Sequence, residues 1–341
     1  MTRRTAQAAV ATSLSATVLM LMCACSGEPA SREAANRAVR DAVRVGYQRY
    51  ITYAPLFIAQ AEGFFAAEGI TLELIVMPDG SAGTPLVLAG RIDVMAGPGT
   101  PGLLNAIAHG ARVKIVADKG SIPMSGCSQL ALIGRAGIDL GARSGPGRIR
   151  RISPSRATHV FDYFVERALA EAGLDTSALE VLHLPTSMLG SALGDGRVDA
   201  VATTEPAVAR LVAAGNHVLR DASAVVPGLP YGFLVFGERL LERDRAVGER
   251  FLVAYLEGIR QYANGQTPRN LEIVAEATGD DPAVLQSACW APFRETDIDT
   301  NAYDAFQQWA VRRGLIERVL DAREYWDGSF VANAASTLGR R

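Results

Sequence analysis

Val87-Leu88-Ala89-Gly90-Arg91-Ile92-Asp93-Val94-Met95-Ala96 returns 106 residues later as Leu193-Gly194-Asp195-Gly196-Arg197-Val198-Asp199-Ala200-Val201-Ala202. Gly90, Arg91, Asp93 and Ala96 recur in register as Gly196, Arg197, Asp199 and Ala202. Each copy reads as the end of a helix, a glycine stop, a short buried strand, and a polar turn into a new helix. Two copies of one strand–helix unit imply two similar α/β lobes. Chance likeness between two such units is the competing reading.

Outward from the first copy, strands and helices alternate. Val43–Tyr47 reads as a strand. Ala54–Gly69 reads as a helix with Phe57, Ala61, Phe64 and Phe65 on one stripe and Gly69 as its stop. Leu72–Met77 is a strand, Thr84–Ala89 a short helix, Ile92–Ala96 a strand and Thr100–His109 a helix. Val113–Ala117 and Leu130–Gly134 are strands. This alternation predicts a largely parallel sheet with helices on its faces. The second copy runs on into a helix at Pro206–Ala214, in company with a long amphipathic helix at Thr158–Ala172 and a strand at Leu179–Leu184. Beyond Phe236 the pattern turns helical over Arg245–Asn264, Leu271–Ala277, Ala283–Cys289, Ala302–Arg313 and Ile316–Tyr325, with no strand signal. This predicts a helical C-terminal layer.

A chain of 341 residues suits two domains, and 49% hydrophobic with 21% charged residues is a globular composition. Lys plus Arg number 34 against 36 for Asp plus Glu, for a net charge of −2. That balance argues against a nucleic-acid partner, which selects a basic excess. Four cysteines, at 23, 25, 127 and 289, are too few for a disulfide scaffold and form no C-x-x-C pair. His109, His159, His183 and His217 show no metal-ligand spacing, and neither G-x-S-x-G nor S-x-x-K occurs. No metal site, cofactor or catalytic cluster is therefore expected.

The N-terminus reads as an export signal over residues 1–24. Arg3 and Arg4 precede an apolar run, Ala8 to Met22. Fifteen residues at ~1.5 Å rise reach only ~22 Å, short of a membrane span. Met22-Cys23-Ala24-Cys25-Ser26-Gly27 follows and resembles a bacterial lipobox, in which Cys25 is lipidated and becomes the new N-terminus. A plain signal peptide with an incidental cysteine is the alternative. Arg3-Arg4 hints only weakly at a twin-arginine signal. Residues 25–40, polar and Ala-rich with Gly27 and Pro29, read as a tether.

Val43-Arg44-Val45-Gly46-Tyr47, Ala54-Pro55-Leu56-Phe57-Ile58-Ala59, Glu62-Gly63-Phe64-Phe65 and Glu68-Gly69-Ile70 carry a family resemblance, as do Gly90–Asp93, Gly196–Asp199 and Glu205-Pro206. The chain resembles the solute-binding lipoproteins of ABC importers in the sulfonate, nitrate and thiamine-precursor group. The resemblance implies a type II periplasmic-binding fold: two α/β lobes, a hinge of two crossover strands, and a ligand in the cleft. Lobe one is expected at 41–135 plus 236–341, and lobe two at 136–235. The implied function is capture of a small organic ligand and delivery to an ABC permease in the inner membrane, by a monomeric, lipid-anchored protein that is not an enzyme. Two alternatives stand: an enzyme on the same fold, of thiamine-pyrimidine or menaquinone-pathway type, or a ligand-binding lipoprotein serving a membrane sensor. The entrance to lobe two departs from the family pattern at Ser144-Gly145-Pro146-Gly147 and Arg148–Ser153.

Candidate ligand residues sit where strands end, because the carboxyl ends of parallel strands face the crevice. Arg49 and Tyr53 follow the first strand, in a turn with Tyr47 and Tyr50; the alternative is tyrosines covering a helix start. Gly97-Pro98-Gly99-Thr100-Pro101-Gly102 formally matches G-x-G-x-x-G, with Asp118 about twenty residues on. Pro98 and Pro101 remove two backbone donors, which disfavours a dinucleotide. A small-ligand loop of Gly97, Gly99 and Thr100 at a helix N-terminus is the preferred reading, and a tight turn without ligand the alternative. Ser155, Arg156 and Thr158 open the long helix of lobe two and offer donors to an anion, or cap a helix beside a solvated arginine. Thr204 and Glu205 end the second repeat, Glu205 either accepting from a ligand or capping a helix, and Tyr231 precedes the strand returning to lobe one. The donor-rich cleft favours an anionic or acceptor-rich ligand. Cys127 and Cys289 are free to pair in an oxidising compartment, though nothing local demands it.

Overall fold

The computed structural model describes residues 41–154, 159–175, 177 and 179–340. The expected signal, Cys25 and tether lie outside the described residues. Within them, no helix is long and apolar enough to cross a membrane.

Ten strands build two five-stranded sheets among the described residues. They are β1 (Asp41–Tyr47), β2 (Ile70–Val76), β3 (Val94–Pro98), β4 (Val113–Ser121), β5 (Leu130–Gly134), β6 (Arg151–Pro154), β7 (Glu180–Val181), β8 (Ala200–Thr204), β9 (His217–Asp221) and β10 (Pro230–Gly237). The first sheet has the order β2-β1-β3-β10-β4 and the second β7-β6-β8-β5-β9. Exchange β2 for β7, β1 for β6, β3 for β8, β10 for β5 and β4 for β9, and one order becomes the other. The lobes are one unit built twice.

The recurring aspartate is the reason the repeat survives as a pattern. Asp93 Oδ2 accepts from Arg44 N at 2.9 Å, and Oδ1 from Arg44 Nη2 at 2.8 Å. Arg239 Nη1 adds a bond at 3.2 Å. Asp199 Oδ2 accepts from Arg150 N at 2.8 Å and Arg151 N at 3.0 Å, and Oδ1 from Arg135 Nη2 at 3.0 Å. Each carboxylate thus accepts from backbone N–H of the neighbouring strand, within β1 for Asp93 and at the start of β6 for Asp199, and binds an arginine. Burial pushes both carboxyl groups up, but these partners outweigh it and hold them below the usual carboxylate range. Gly90 and Gly196 take φ of 62° and 64°, the left-handed turn a helix needs to stop before such a strand. The motif is architecture.

The sheets are mixed, not largely parallel. β1 runs parallel to β2 and β3, and β6 to β7 and β8. β10 is antiparallel to β3 and β4, and β5 to β8 and β9. The cause is the crossing: β5 and β10 arrive from the other lobe, so each enters its sheet from the cleft side and runs down it. Sheet membership also moves the lobe boundaries from those expected. Leu130–Gly134 belongs to the second sheet and Pro230–Gly237 to the first, so the crossings fall near 122–129 and 222–229.

Other departures are local. The expected helix Ala54–Gly69 breaks into Ala54–Ala61 and Phe64–Ala67 at Gly63, whose φ is 77°. Of Ile316–Tyr325 only Ala322–Tyr325 is helical, and Ser329–Gly339 forms a further helix. The helical layer packs the long helix Arg245–Tyr262 on Ala54–Ala61. Phe236 of β10 meets Phe251 and Phe330 there, at ring separations of 5.7 and 5.2 Å. Cys127 and Cys289 form a disulfide with Cα atoms 6.0 Å apart across a sequence separation of 162. It pins the first crossing to the helical layer.

Candidate functional site

The strand ends β1, β3, β4 and β8 and the start of β10 meet at one cavity between the lobes. Lobe one supplies Gln48, Tyr50, Thr52 and Tyr53 from the turn after β1, Pro98 from β3, Lys119 from β4, and Tyr231 and Gly232 from β10. Lobe two supplies Phe161 from the helix His159–Glu171, Thr186, and Thr204 from β8. The cavity is about 60 Å³, space for a few waters and well below the several hundred Å³ of an organic-ligand site. A larger cavity, about 510 Å³, lies at the opposite end of the first sheet beside Asp93. There Arg44, Arg112 and Arg239 are paired with Asp93, Glu238, Glu242 and Asp244.

Lys119 is the chemical centre of the cleft. It is 5% exposed. Its Nζ lies 3.6 Å from the centroid of the Tyr53 ring, 3.2 Å from Thr52 Oγ1 and 3.4 Å from Thr52 O. The cation rests on the ring face, as the quadrupole of an aromatic ring favours. Burial pushes the ammonium down to about 7, against the pull of Asp118. That neighbouring carboxylate is turned away. It accepts from Arg294 N at 3.0 Å, Ser121 Oγ at 2.7 Å and Gly120 N at 3.2 Å.

Two of the tyrosines in the wall are fixed by hydrogen bonds. Tyr53 is buried and donates to Ala96 O at 3.1 Å. Tyr231 donates to Gln129 Oε1 at 3.0 Å, Gln129 Nε2 to Tyr262 Oη at 3.2 Å, and Tyr262 to Ala291 O at 3.2 Å. This chain runs from the cleft through the first crossing into the helical layer. Burial pushes the Tyr53 and Tyr231 phenols up, so both stay neutral.

Of the residues expected from sequence, Tyr53, Thr204 and Tyr231 line the cavity. Arg49 is exposed and does not line it. Gly97, Gly99 and Thr100 are buried in the protein's own packing. A Cβ on Gly99 would collide with the Phe233 ring and the Tyr303 hydroxyl. Thr100 Oγ1 caps the helix Pro101–Ala108 by accepting from Leu103 N at 3.2 Å. Glu205 accepts from Ala209 N and Cys289 N, both at 3.0 Å, so it caps one helix and ties the second lobe to the helical layer. Burial raises its carboxyl group. Ser155, Arg156 and Thr158 lie outside the described residues.

Sequence reasoning missed Lys119, Thr52, Gln48, Phe161 and Thr186. A signal for the first was present: Asp118-Lys119 follows the β-like stretch Val113–Ala117 at a strand end. Lys119 is also one of only two lysines in the chain, the other being Lys114.

The model of the NMT1-like family matches residues 36–136 and 151–279. No curated protein matches by sequence. Among solved structures, the zinc-bound ligand-binding component of an ABC-type import system from Staphylococcus aureus aligns with a TM-score of 0.71 and 16% identity, over 86% of this chain and 99% of its own. The MOPS-bound alkanesulfonate-binding protein SsuA from Xanthomonas axonopodis pv. citri aligns with a TM-score of 0.65 and 19% identity, over 85% and 99%. The desulfurization enzyme DSZB aligns with a TM-score of 0.67 and 14% identity, over 88% and 100%. The type II periplasmic-binding fold therefore covers binding proteins and an enzyme alike.

Proposed function

The chain belongs to the NMT1-like family, and from that premise we propose that it is an exported solute-binding lipoprotein that delivers a small organic ligand to an ABC permease. Residues 1–24 are removed, Cys25 carries the lipid, and residues up to 40 tether the protein as a monomer to the membrane. Capture is by closure. The lobes part, the ligand enters between the turn after β1 and the lobe-two wall of Phe161, Thr186 and Thr204, and the lobes close on it. Closure is favoured because the ligand touches both walls only in the closed form.

The observation that carries this reading is the placement of Lys119. A lysine is buried between two lobes, on an aromatic ring, at the ends of the strands. The test is uptake. Cells lacking the protein are expected to lose high-affinity uptake of the compound that the purified protein binds, and Cys25→Ala is expected to release the protein from membranes. Unchanged uptake refutes delivery; a Cys25→Ala variant that still fractionates with membranes refutes the anchor.

A further inference from the structure

The chain holds 32 arginines and two lysines, and one of those two lysines is in the cleft. The difference matters chemically. A guanidinium stays charged at every accessible pH, whereas a lysine can surrender its proton when buried. Resting on the solute-binding reading, we propose that Lys119 selects a singly charged organic anion and that capture takes up one proton, the buried amine becoming the ammonium that holds the ligand.

The geometry supports both halves. Among the described residues, the contacts of the Lys119 head are with neutral groups: Thr52 O, Thr52 Oγ1 and the Tyr53 ring. The adjoining Asp118 carboxylate is saturated by Arg294 N, Ser121 and Gly120 and points elsewhere. Among the described residues of lobe two, Phe161, Thr186 and Thr204 face Lys119, none of them charged. The titratable neighbours on lobe one are tyrosines: Tyr53 and Tyr50 in the turn after β1, Tyr231 on β10, and Tyr255 of the long helix, whose hydroxyl donates to Asp118 O at 3.1 Å. Burial pushes Tyr53, Tyr231 and Tyr255 up, so they stay protonated near neutrality.

A buried ammonium with no counter-ion in contact among the described residues is costly, and losing the proton to solvent relieves that cost. An anion entering the closed cleft reverses the balance by pairing with the charge in a medium of low dielectric. One negative charge balances one lysine. Among the described lining residues, a dianion would leave a charge uncompensated and a cation would meet only neutral acceptors such as Thr52 and Gln48.

The two lysines make the test clean. Protein carrying ¹³C at the lysine ε carbon gives two signals by nuclear magnetic resonance, and the one lost in Lys119→Met is Lys119. Its titration midpoint is expected at about 7 in the ligand-free protein, and sodium benzoate or sodium methanesulfonate is expected to raise it by about one unit or more. Affinity for benzoate is then expected to fall up to tenfold per pH unit above that midpoint, the slope of a single proton, and to lose this dependence in Lys119→Arg. A ligand-free midpoint at about 10, the ordinary lysine value, or a midpoint that neither anion moves, overturns the proposal. A neutral compound captured in the cleft beside a lysine titrating at about 10 overturns the proposal and leaves the solute-binding reading standing. Absence of any ligand between the lobes defeats the solute-binding reading beneath it.

Discussion

Replacing Lys119 by methionine is expected to stabilise the ligand-free protein while damaging its function. Methionine fills a similar space with a flexible apolar chain and removes the buried ammonium. The lysine falls from 10.5 in the unfolded chain to about 7 in the folded protein. A depression of roughly three to four units at about 1.4 kcal/mol each gives a penalty of roughly 4–5 kcal/mol for folding with the charge in place. Contact with Tyr53 and Thr52 is lost in the variant, so the net gain is a few kcal/mol. Its sign with pH is fixed. The unfolded chain binds the proton more tightly, so wild-type stability rises as pH goes from about 7 toward about 10, and the full penalty is present below 7. Urea unfolding of both proteins at pH 6, 7.5 and 9 measures it. The variant is expected to lead most at pH 6 and to lose its lead by pH 9 or above. A variant less stable than wild type at pH 6, or a difference that does not change with pH, would refute the reasoning.

The repeat aspartates predict the opposite pH behaviour. Asp93→Ala or Asp199→Ala leaves backbone N–H groups of the neighbouring strand and an arginine without their acceptor, at a cost of roughly 2–4 kcal/mol by chemical denaturation, with little effect on ligand affinity. Because both carboxyl groups are held low, their contribution is present above about pH 4 and is lost as acid protonates them, which an acid titration followed by circular dichroism will show. Cys127→Ser with Cys289→Ser is expected to cost roughly 2–4 kcal/mol, and free-thiol labelling of the native wild type is expected to find neither cysteine reactive. Tyr231→Phe breaks the first link of the chain to Gln129 and Tyr262, and is expected to lower stability by about 1 kcal/mol in thermal unfolding.

The repeat was legible because its spacing is local: glycine, arginine and aspartate within four residues build one turn and one strand start. That turn recurs in both lobes, and the sheets share one order. The direction of β5 and β10 was not legible. Their apolar runs look like any buried strand, and only the path of the chain between lobes turns them over. The cleft was legible as a place, since strand ends in such sheets face a crevice, and Tyr53, Thr204 and Tyr231 do line it. The roles of Gly99, Thr100 and Glu205 were harder to read. Gly99 packs against Phe233 and Tyr303, and Glu205 meets Cys289, partners 84 or more residues away. Thr100 had two readings, and the cap to Leu103 is the one its geometry adopts. Lys119 escaped notice for a physical reason. A lysine beside an aspartate reads as a solvated pair, and nothing near it in sequence shows that the aspartate turns away toward Arg294 and leaves the amine on a tyrosine ring.

The central claim, capture of a small ligand between the lobes at Lys119, is tested most directly by native mass spectrometry of the protein purified from its own host without denaturation. One equivalent of a small organic acid on the wild-type protein, released on acid denaturation and missing from Lys119→Met, is the expected result. A ligand of the same mass retained by Lys119→Met, or a wild-type protein that carries only bulky neutral lipid, would contradict the claim.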